Sequence, residues 1–477
     1  GNLLLKSQDF ATTGDLIVSN GTLRLEGAKF PNIGKVVVGP GATFSVDSAA
    51  KIGTATPLLV DEAGFVQLDT DAVLSIVGGK IGETELVPGK SYAGAPAAGV
   101  EYLPQIKGAG RLFVARSAPA TSATWTGGAG DDTLMSTGAN WEGGEKPDLV
   151  GGGLLAKIVG GTCATLPGDI ALRGLDFCPA NGLFSVTDGG ANRTLTLLAD
   201  GITTTRAEGF EGTATNIIDA AVFAEAAQTW TAGANTRLVF NKGFSAVGST
   251  SFTTKGPGTI ELKGENDFLG DFTLASGNLV VHGDAPFGTS SGGKLCTKSA
   301  GVLYMDNANI YRTVETSGST GWDAANEIVA VKGTTNYIYG LVTRSSGNLH
   351  VGGEGRLVLA GGGSGNWFQP RTSGNGEVVI TNKPLTCSAY SISHNSVTRF
   401  QVAGNTCSMG IGNGCNSTVH LETDDVFSNR KNLSCSSGGS VYIYLHGTTQ
   451  KFGDLVATYN GSHVTSSEPG AVLDTVP

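Results

Sequence analysis

The chain has 477 residues, of which 73 are glycine, 16 are proline and 15% are charged, with a formal net charge of -10 and a pI near 5.1. Glycine stands at about twice its ordinary usage and charge well below the usual quarter, yet a hydrophobic content of 40% is too high for intrinsic disorder. An acidic balance without a Lys/Arg cluster argues against nucleic-acid binding, and no long apolar run or basic amphipathic helix marks a membrane span or a peripheral anchor.

Strand-like pattern begins at Gly1-Asn2-Leu3-Leu4-Leu5 and continues to Val472-Leu473-Asp474-Thr475-Val476-Pro477. This reads as a window of a longer polypeptide, so a secretion signal would lie outside it. Between the ends, short runs alternate apolar and polar residues and stop at Gly, Asn, Asp or Ser. Examples are Leu23/Leu25, Val36/Val38, Phe44/Val46, Leu58/Val60, Leu195/Leu197, Ile260/Leu262, Leu357/Leu359, Val378/Ile380 and Val441/Ile443/Leu445. A period of two over a few residues is the mark of half-buried strands. Only Asp219 to Ala227 has a helix-like composition, and it is short and flanked by strand pattern.

A local phrase recurs. Gly108-Ala109-Gly110, Gly256-Pro257-Gly258, Gly353-Glu354-Gly355 and Gly374-Asn375-Gly376 each lead into an alternating apolar run, and the last two follow each other closely. A β-sandwich would instead pair equal strands through hairpin turns. Recurrence at an interval of about 20 residues predicts a coil that buries its inner face against its neighbours. The expected fold is therefore all-β: a parallel β-helix, or β-solenoid, with three short strands per coil. It would be elongated, with few or no helices, and roughly 20 coils would give a rod of about 100 Å.

Residues 256–288 read GPGTIELKGENDFLGDFTLASGNLVVHGDAPFG. This stretch resembles the autotransporter-associated β-strand repeat, also called the passenger-associated transport repeat. The resemblance is carried by Gly256, Gly258, Ile260, Leu262, Gly264, Asn266, Phe268, Gly270, Phe272, Leu274, Gly277 and Leu279. Residues 416–426 and 440–455 resemble the phrases that follow such repeats. Residues 125–147 (WTGGAGDDTLMSTGANWEGGEKP) resemble the phrase that opens a new cassette in long surface proteins of this kind. The expected organisation is the closing coils of one cassette over 1–118, a boundary segment over 119–150 and a second cassette over 151–477. The resemblance implies a right-handed β-helix, export, and display at the bacterial cell surface or release from it. No translocator barrel lies within the chain, and seven cysteines exceed what such passengers usually carry.

Candidate chemistry is sparse. Gly127-Gly128-Ala129-Gly130-Asp131-Asp132-Thr133-Leu134 matches one copy of a calcium-binding nonapeptide, with Asp132 as the cation ligand. A single copy cannot complete a cage, so a Gly-Asp turn is the plainer expectation. Cys387 and Cys407 have the same spacing in the chain as Cys415 and Cys435. If a coil holds about 20 residues, each pair stacks within disulfide range; Cys163 and Cys178 could close a short excursion, leaving Cys296 over. Buried free thiols are the alternative. None of the six histidines lies in an H-x-x-x-H pair, which leaves them as surface or ladder residues. Acidic pairs at Asp131-Asp132 and Asp424-Asp425, the latter followed by Arg430 and Lys431, are candidates for the acid–base groups of a polysaccharide lyase or glycoside hydrolase, with solvated turn charges the plainer expectation. Tyr304, Tyr311, Trp322, Tyr337, Tyr339, Trp367, Phe368, Tyr442 and Tyr444 concentrate in the second half, with Tyr337/Tyr339 and Tyr442/Tyr444 each on one strand face, where they could meet surface glycans.

Function is accordingly expected to be structural and non-enzymatic: an adhesin stalk, surface layer or extracellular filament, without cofactor, able to self-associate end to end through open sheet edges. A carbohydrate-active enzyme on the same fold and a glycan-binding module are the alternatives.

Overall fold

The computed structural model describes residues 1–53, 56–97, 99–289, 292–317, 327–344, 348–392, 396–411, 416–428, 433–435, 441–452, 455–457, 462–466 and 468–475. About 53% of the chain is strand and 1% helix, and the strands form parallel β-solenoid of about 19 turns in all. One 3-10 turn, Gly138–Asn140, is the helical element among the described residues. The chain divides into two units, Gly1–Thr121 with Asp148–Leu154 and Ser122–Pro147 with Leu155–Pro477.

In the first unit each coil has three short strands. Thr22–Glu26, Thr43–Val46 and Phe65–Leu68 stack in parallel on one face, and Leu16–Val18, Val36–Val38 and Leu58–Val60 on a second. Lys29–Phe30 lies under Lys51–Ile52 on the third. Thr43 faces Phe65, Val36 faces Leu58 and Lys29 faces Lys51, so all three faces advance by the same step along the chain. The period-two pattern then sends Leu23, Phe44 and Val66 into one buried column and Leu25, Val46 and Leu68 into another. Parallel stacking is not uniform, however. Ser91–Ala93 runs antiparallel to Arg111–Val114, and Gly79–Ile81 is antiparallel to Thr84–Glu85. Such reversals occupy sheet edges that would otherwise be open to a further strand.

A continuous sheet of 31 strands, from Thr121–Trp125 to Ser462–Thr465, builds the second unit. Coil length varies along it. Arg237 faces Thr259 and Thr259 in turn faces Asn278, so the second of these coils is the shorter. Ala389 faces Ser408 across a similarly short coil, whereas Ile411 faces Cys435 across a much longer one. Along part of the core runs an aromatic spine: Trp230 stacks on Phe240 at 4.4 Å, and Phe244, Phe252, Phe268, Phe272 and Phe287 continue it. Within the helix-like stretch the chain forms the strand Ala221–Ala224, with Val222 and Ala224 buried and Leu195 facing Val222. Stacking here overrides the helix propensity of its alanines.

The repeat-motif residues have concrete roles. Gly256 and Gly277 take φ of 95° and 79°, which a side chain rarely allows. A Cβ at Gly258, Gly264 or Gly270 would meet the backbone of the preceding coil at 2.3, 2.2 and 2.0 Å. Leu262 and Leu279 are fully buried. Asn266 is 6% exposed; its Oδ1 accepts from the Phe244 N–H at 2.7 Å and its Nδ2 donates to the Pro286 carbonyl at 2.6 Å. One amide thus joins the coil behind to the coil ahead. Asn405 repeats the device, accepting from the Leu385 N–H at 2.7 Å and donating to the Val426 carbonyl at 2.8 Å. Gln450 reaches only backward, accepting from the Val426 N–H at 3.0 Å and donating to the Thr423 carbonyl at 2.6 Å.

Polar groups also lie inside the stack. Arg344 donates to both oxygens of Glu327 at 2.5 and 2.6 Å, with the two side chains 0% and 6% exposed. Burial pushes the Glu327 carboxyl up, against the pull of Arg344.

Candidate functional site

Residues 125–147 fold around Asn140 and two tryptophans. Trp125 and Trp141 meet edge to face at 5.3 Å, and the Trp141 Nε1–H donates to the Met135 carbonyl. Buried Asn140 accepts from the Ala129 N–H and donates to the Asp132 carbonyl. Asp132 itself accepts from the Leu134 N–H at 3.0 Å and the Thr137 hydroxyl at 2.7 Å, and these bonds hold its carboxyl below the usual range. Both oxygens of the calcium candidate are therefore engaged in closing its own turn, with Asp132 outside the His/Cys/Asp/Glu trio that could share a cation among the described residues.

The disulfide expectation is corrected. Cys163, Cys178, Cys296, Cys387 and Cys407 are free. Cys163 faces Ser185, and Cys178 follows Ile170–Phe177, a different strand of the coil, so these two do not stack. At Cys387 and Cys407 the Thr406 N–H donates to the Leu385 carbonyl, which sets Cys407 beside Cys387 on the next coil, just before the register shifts to pair Ala389 with Ser408. The two buried thiols touch through a hydrogen bond without being joined. That contact and burial push Cys387 far above its ordinary range, which keeps it protonated and unreactive. Cys435 faces Ile411. Cys415 and the side chain of Cys435 lie outside the described residues.

Of the aromatic residues, Tyr311, Tyr337 and Tyr339 form a stacked surface row. Tyr311 lies 5.0 Å from Tyr339 at an interplanar angle of 12°, and Tyr337 lies 5.7 Å from Tyr339 at 8°. The Tyr311 hydroxyl donates to Asp284 at 2.8 Å, an oxygen that also accepts from Asn309 at 3.0 Å. Tyr442 is exposed, and Tyr444 stacks on His420 at 5.1 Å. Phe368 is core, stacked on Tyr390. Trp322 and the side chain of Trp367 lie outside the described residues.

A charged row runs across four coils. Arg356 pairs with Glu377 at 2.5 Å, Glu377 with Arg399 at 2.5 Å and Arg399 with Glu422 at 2.6 Å. Gln401 holds the other Glu422 oxygen at 2.8 Å. A similar group surrounds Glu261, where burial works to raise the carboxyl but Arg237, Lys263 and His282 hold it below its ordinary range. Of the Asp424-Asp425 pair, Asp424 accepts from the Thr449 N–H and Asp425 pairs with Lys451 at 3.0 Å; Arg430 and Lys431 lie outside the described residues.

The Arg356–Glu422 row ends at two histidines. His420 Nδ1 and His446 Nε2 are 2.8 Å apart, and one ligand atom from each of His420, Glu422 and His446 falls within 4.8 Å of the others. All three residues are half-buried. Burial, with Arg399 and His446 nearby, pushes His420 down to about 4. The register explains the cluster. His420 faces Tyr444 in the ladder, and Glu422 and His446 each follow two places on, just past the ends of the paired strands, where the three side chains meet. This grouping escaped a search for H-x-x-x-H because its histidines sit on different coils. The available signal was the pairing of His420-x-Glu422 with Tyr444-x-His446 on consecutive coils. His394 and the side chain of His463 lie outside the described residues.

Compared with protein-family models, curated proteins and solved structures, the chain has no significant match.

Proposed function

We propose that the chain is a structural β-solenoid of the passenger type, secreted or displayed at a bacterial cell surface, with a scaffolding rather than a catalytic role. The observation that carries this reading is the coil-to-coil stitching by buried amides, with Asn266 and Asn405 each tying three successive coils. A stack joined this way keeps backbone groups paired and successive coils fixed to one another, which suits a rigid scaffold. Carboxylates such as Glu261, Glu377 and Glu422 are engaged by neighbouring cations, in keeping with cohesion between coils.

Protease shaving of intact cells carrying the chain in its full-length context tests the reading. Release of its peptides without cell lysis is expected. Confinement of the chain to the cytoplasm, or new reducing ends or unsaturated products from acidic polysaccharides treated with the purified protein, would overturn it.

A second role is favoured by the tyrosine row. Tyr311, Tyr337 and Tyr339 offer parallel rings beside the acceptor oxygens of Asp284, a combination suited to the apolar faces and hydroxyls of a surface glycan. Loss of glycan-array signal in Tyr339→Ala is the expected outcome.

A further inference from the structure

We propose that His420, Glu422 and His446 form a site for a divalent transition metal of the zinc class, which clamps two consecutive coils. This goes beyond the scaffold reading and stands or falls separately from it.

Ligand chemistry comes first. Two imidazole nitrogens and one carboxylate are a borderline donor set, suited to Zn²⁺ rather than to the oxygen cages of calcium or magnesium. Three protein ligands leave a fourth tetrahedral position for water. The donors converge from two coils, with His420 Nδ1 and His446 Nε2 already pointed at each other across 2.8 Å. At about 2.0–2.1 Å from each nitrogen, tetrahedral geometry sets them about 3.3 Å apart, so a small ring movement admits the ion. On binding, each neutral ring presents its bare nitrogen and carries its single proton on the other one, Nε2 of His420 and Nδ1 of His446.

Support around the ligands is in place. Glu422 is oriented by Arg399 at Oε1 and Gln401 at Oε2, and each oxygen keeps a further lone pair for a metal. Glu377 offsets the Arg399 charge from its other side at 2.5 Å. His420 is held flat against Tyr444, with an interplanar angle of 15°. The backbone supplies an independent observation. His446 takes φ of 51°, a left-handed conformation uncommon outside glycine, immediately before Gly447 at 75°. Strain of this kind is often kept where it aims a functional side chain.

The test uses the chain stripped with chelator and titrated with zinc chloride by calorimetry, alongside a thermal melt. Cobalt(II) serves as a spectroscopic stand-in. Expected results are one zinc bound with a Kd at or below the micromolar range, a raised melting temperature, and a cobalt spectrum of visible d–d bands without thiolate charge transfer. His446→Asn keeps a residue that tolerates the left-handed backbone, and Glu422→Gln keeps the shape of the carboxylate. Each should weaken zinc binding at least tenfold and remove the thermal shift. The melting temperature of each metal-free variant, set beside that of the metal-free parent, separates ligand loss from misfolding. No binding by the parent at 100 micromolar zinc would overturn the proposal. So would unchanged affinity in both variants, or a thiolate band that moved the site to the cysteines.

Discussion

Replacing Asn266 with alanine leaves the Phe244 N–H and the Pro286 carbonyl without their partner at a position only 6% exposed. Each such orphaned group costs about 1–3 kcal/mol, so a loss of about 2–6 kcal/mol is expected, read as a lower urea midpoint for the second unit. Asn266→Asp keeps the acceptor for Phe244 but turns a second acceptor toward the Pro286 carbonyl and buries charge. It should destabilise at least as much as alanine, whereas a neutral effect would mean that the amide is not the tie between coils. The Glu327–Arg344 pair obeys a different balance, because its attraction has to offset the desolvation of two ions. Glu327→Leu alone should cost about 3–5 kcal/mol by leaving the Arg344 charge inside the stack without its carboxylate. Adding Arg344→Met should restore most of that loss, and a double variant as unstable as the single one would contradict this account. Denaturant midpoints of the two single variants and the double variant supply the measurement.

Among elements, paired strands decide what a local phrase can and cannot reveal. Alternating runs such as Leu357/Leu359 and Val378/Ile380 were legible because they lie one coil apart and both point inward, at 0% exposure. Gly-x-Gly was legible because the tight passage at Gly256 and Gly258 needs a missing side chain. Register arithmetic was legible only in part, since coils of different length coexist in one sheet: a single assumed length brings Cys407 onto Cys387 but misplaces Cys435, which faces Ile411. The histidine cluster was hidden for the same reason: its geometry belongs to two strands and to neither sequence segment alone. That cluster predicts a pH effect on the metal-free protein. His420 is held at about 4 by burial and by the charges of Arg399 and His446, against Glu422 and Glu377, whereas an unfolded histidine sits at 6.5. Between those values the unfolded chain binds a proton that the folded chain does not. Stability is then complete above about 6.5 and falls as pH drops toward 4. With chelator present, urea midpoints measured between pH 7 and pH 4 should decline, and His420→Asn should flatten the part of the slope that it causes. An unchanged slope in the variant would place the proton uptake elsewhere.

For the molecule as a whole, a stack of similar coils differs from a globular domain in what it can lose. Interactions in a solenoid are mostly between nearest coils, so a complete coil is removable in principle and a partial coil is not. The first unit offers a clean case because its three faces advance together. Thr43 faces Phe65, Val36 faces Leu58 and Lys29 faces Lys51, each pair separated by the same length of chain. Deleting residues 44–65 removes that length and joins Thr43 to Val66. Val66 and Leu68 then take the inward places of Phe44 and Val46, above Leu23 and Leu25. Ladder hydrogen bonds and core columns are re-formed with the next coil. Deleting residues 44–54 instead brings mismatched faces together, leaves buried backbone groups unpaired and sends polar residues inward. Circular dichroism of the full chain should accordingly keep its strand signal per residue, and its first-unit melting transition, after the whole-coil deletion. The half-coil deletion should abolish that transition while the second unit still unfolds near its original temperature. Equal damage from both deletions would mean that the first unit is held together by contacts specific to each coil rather than by the repeating stack.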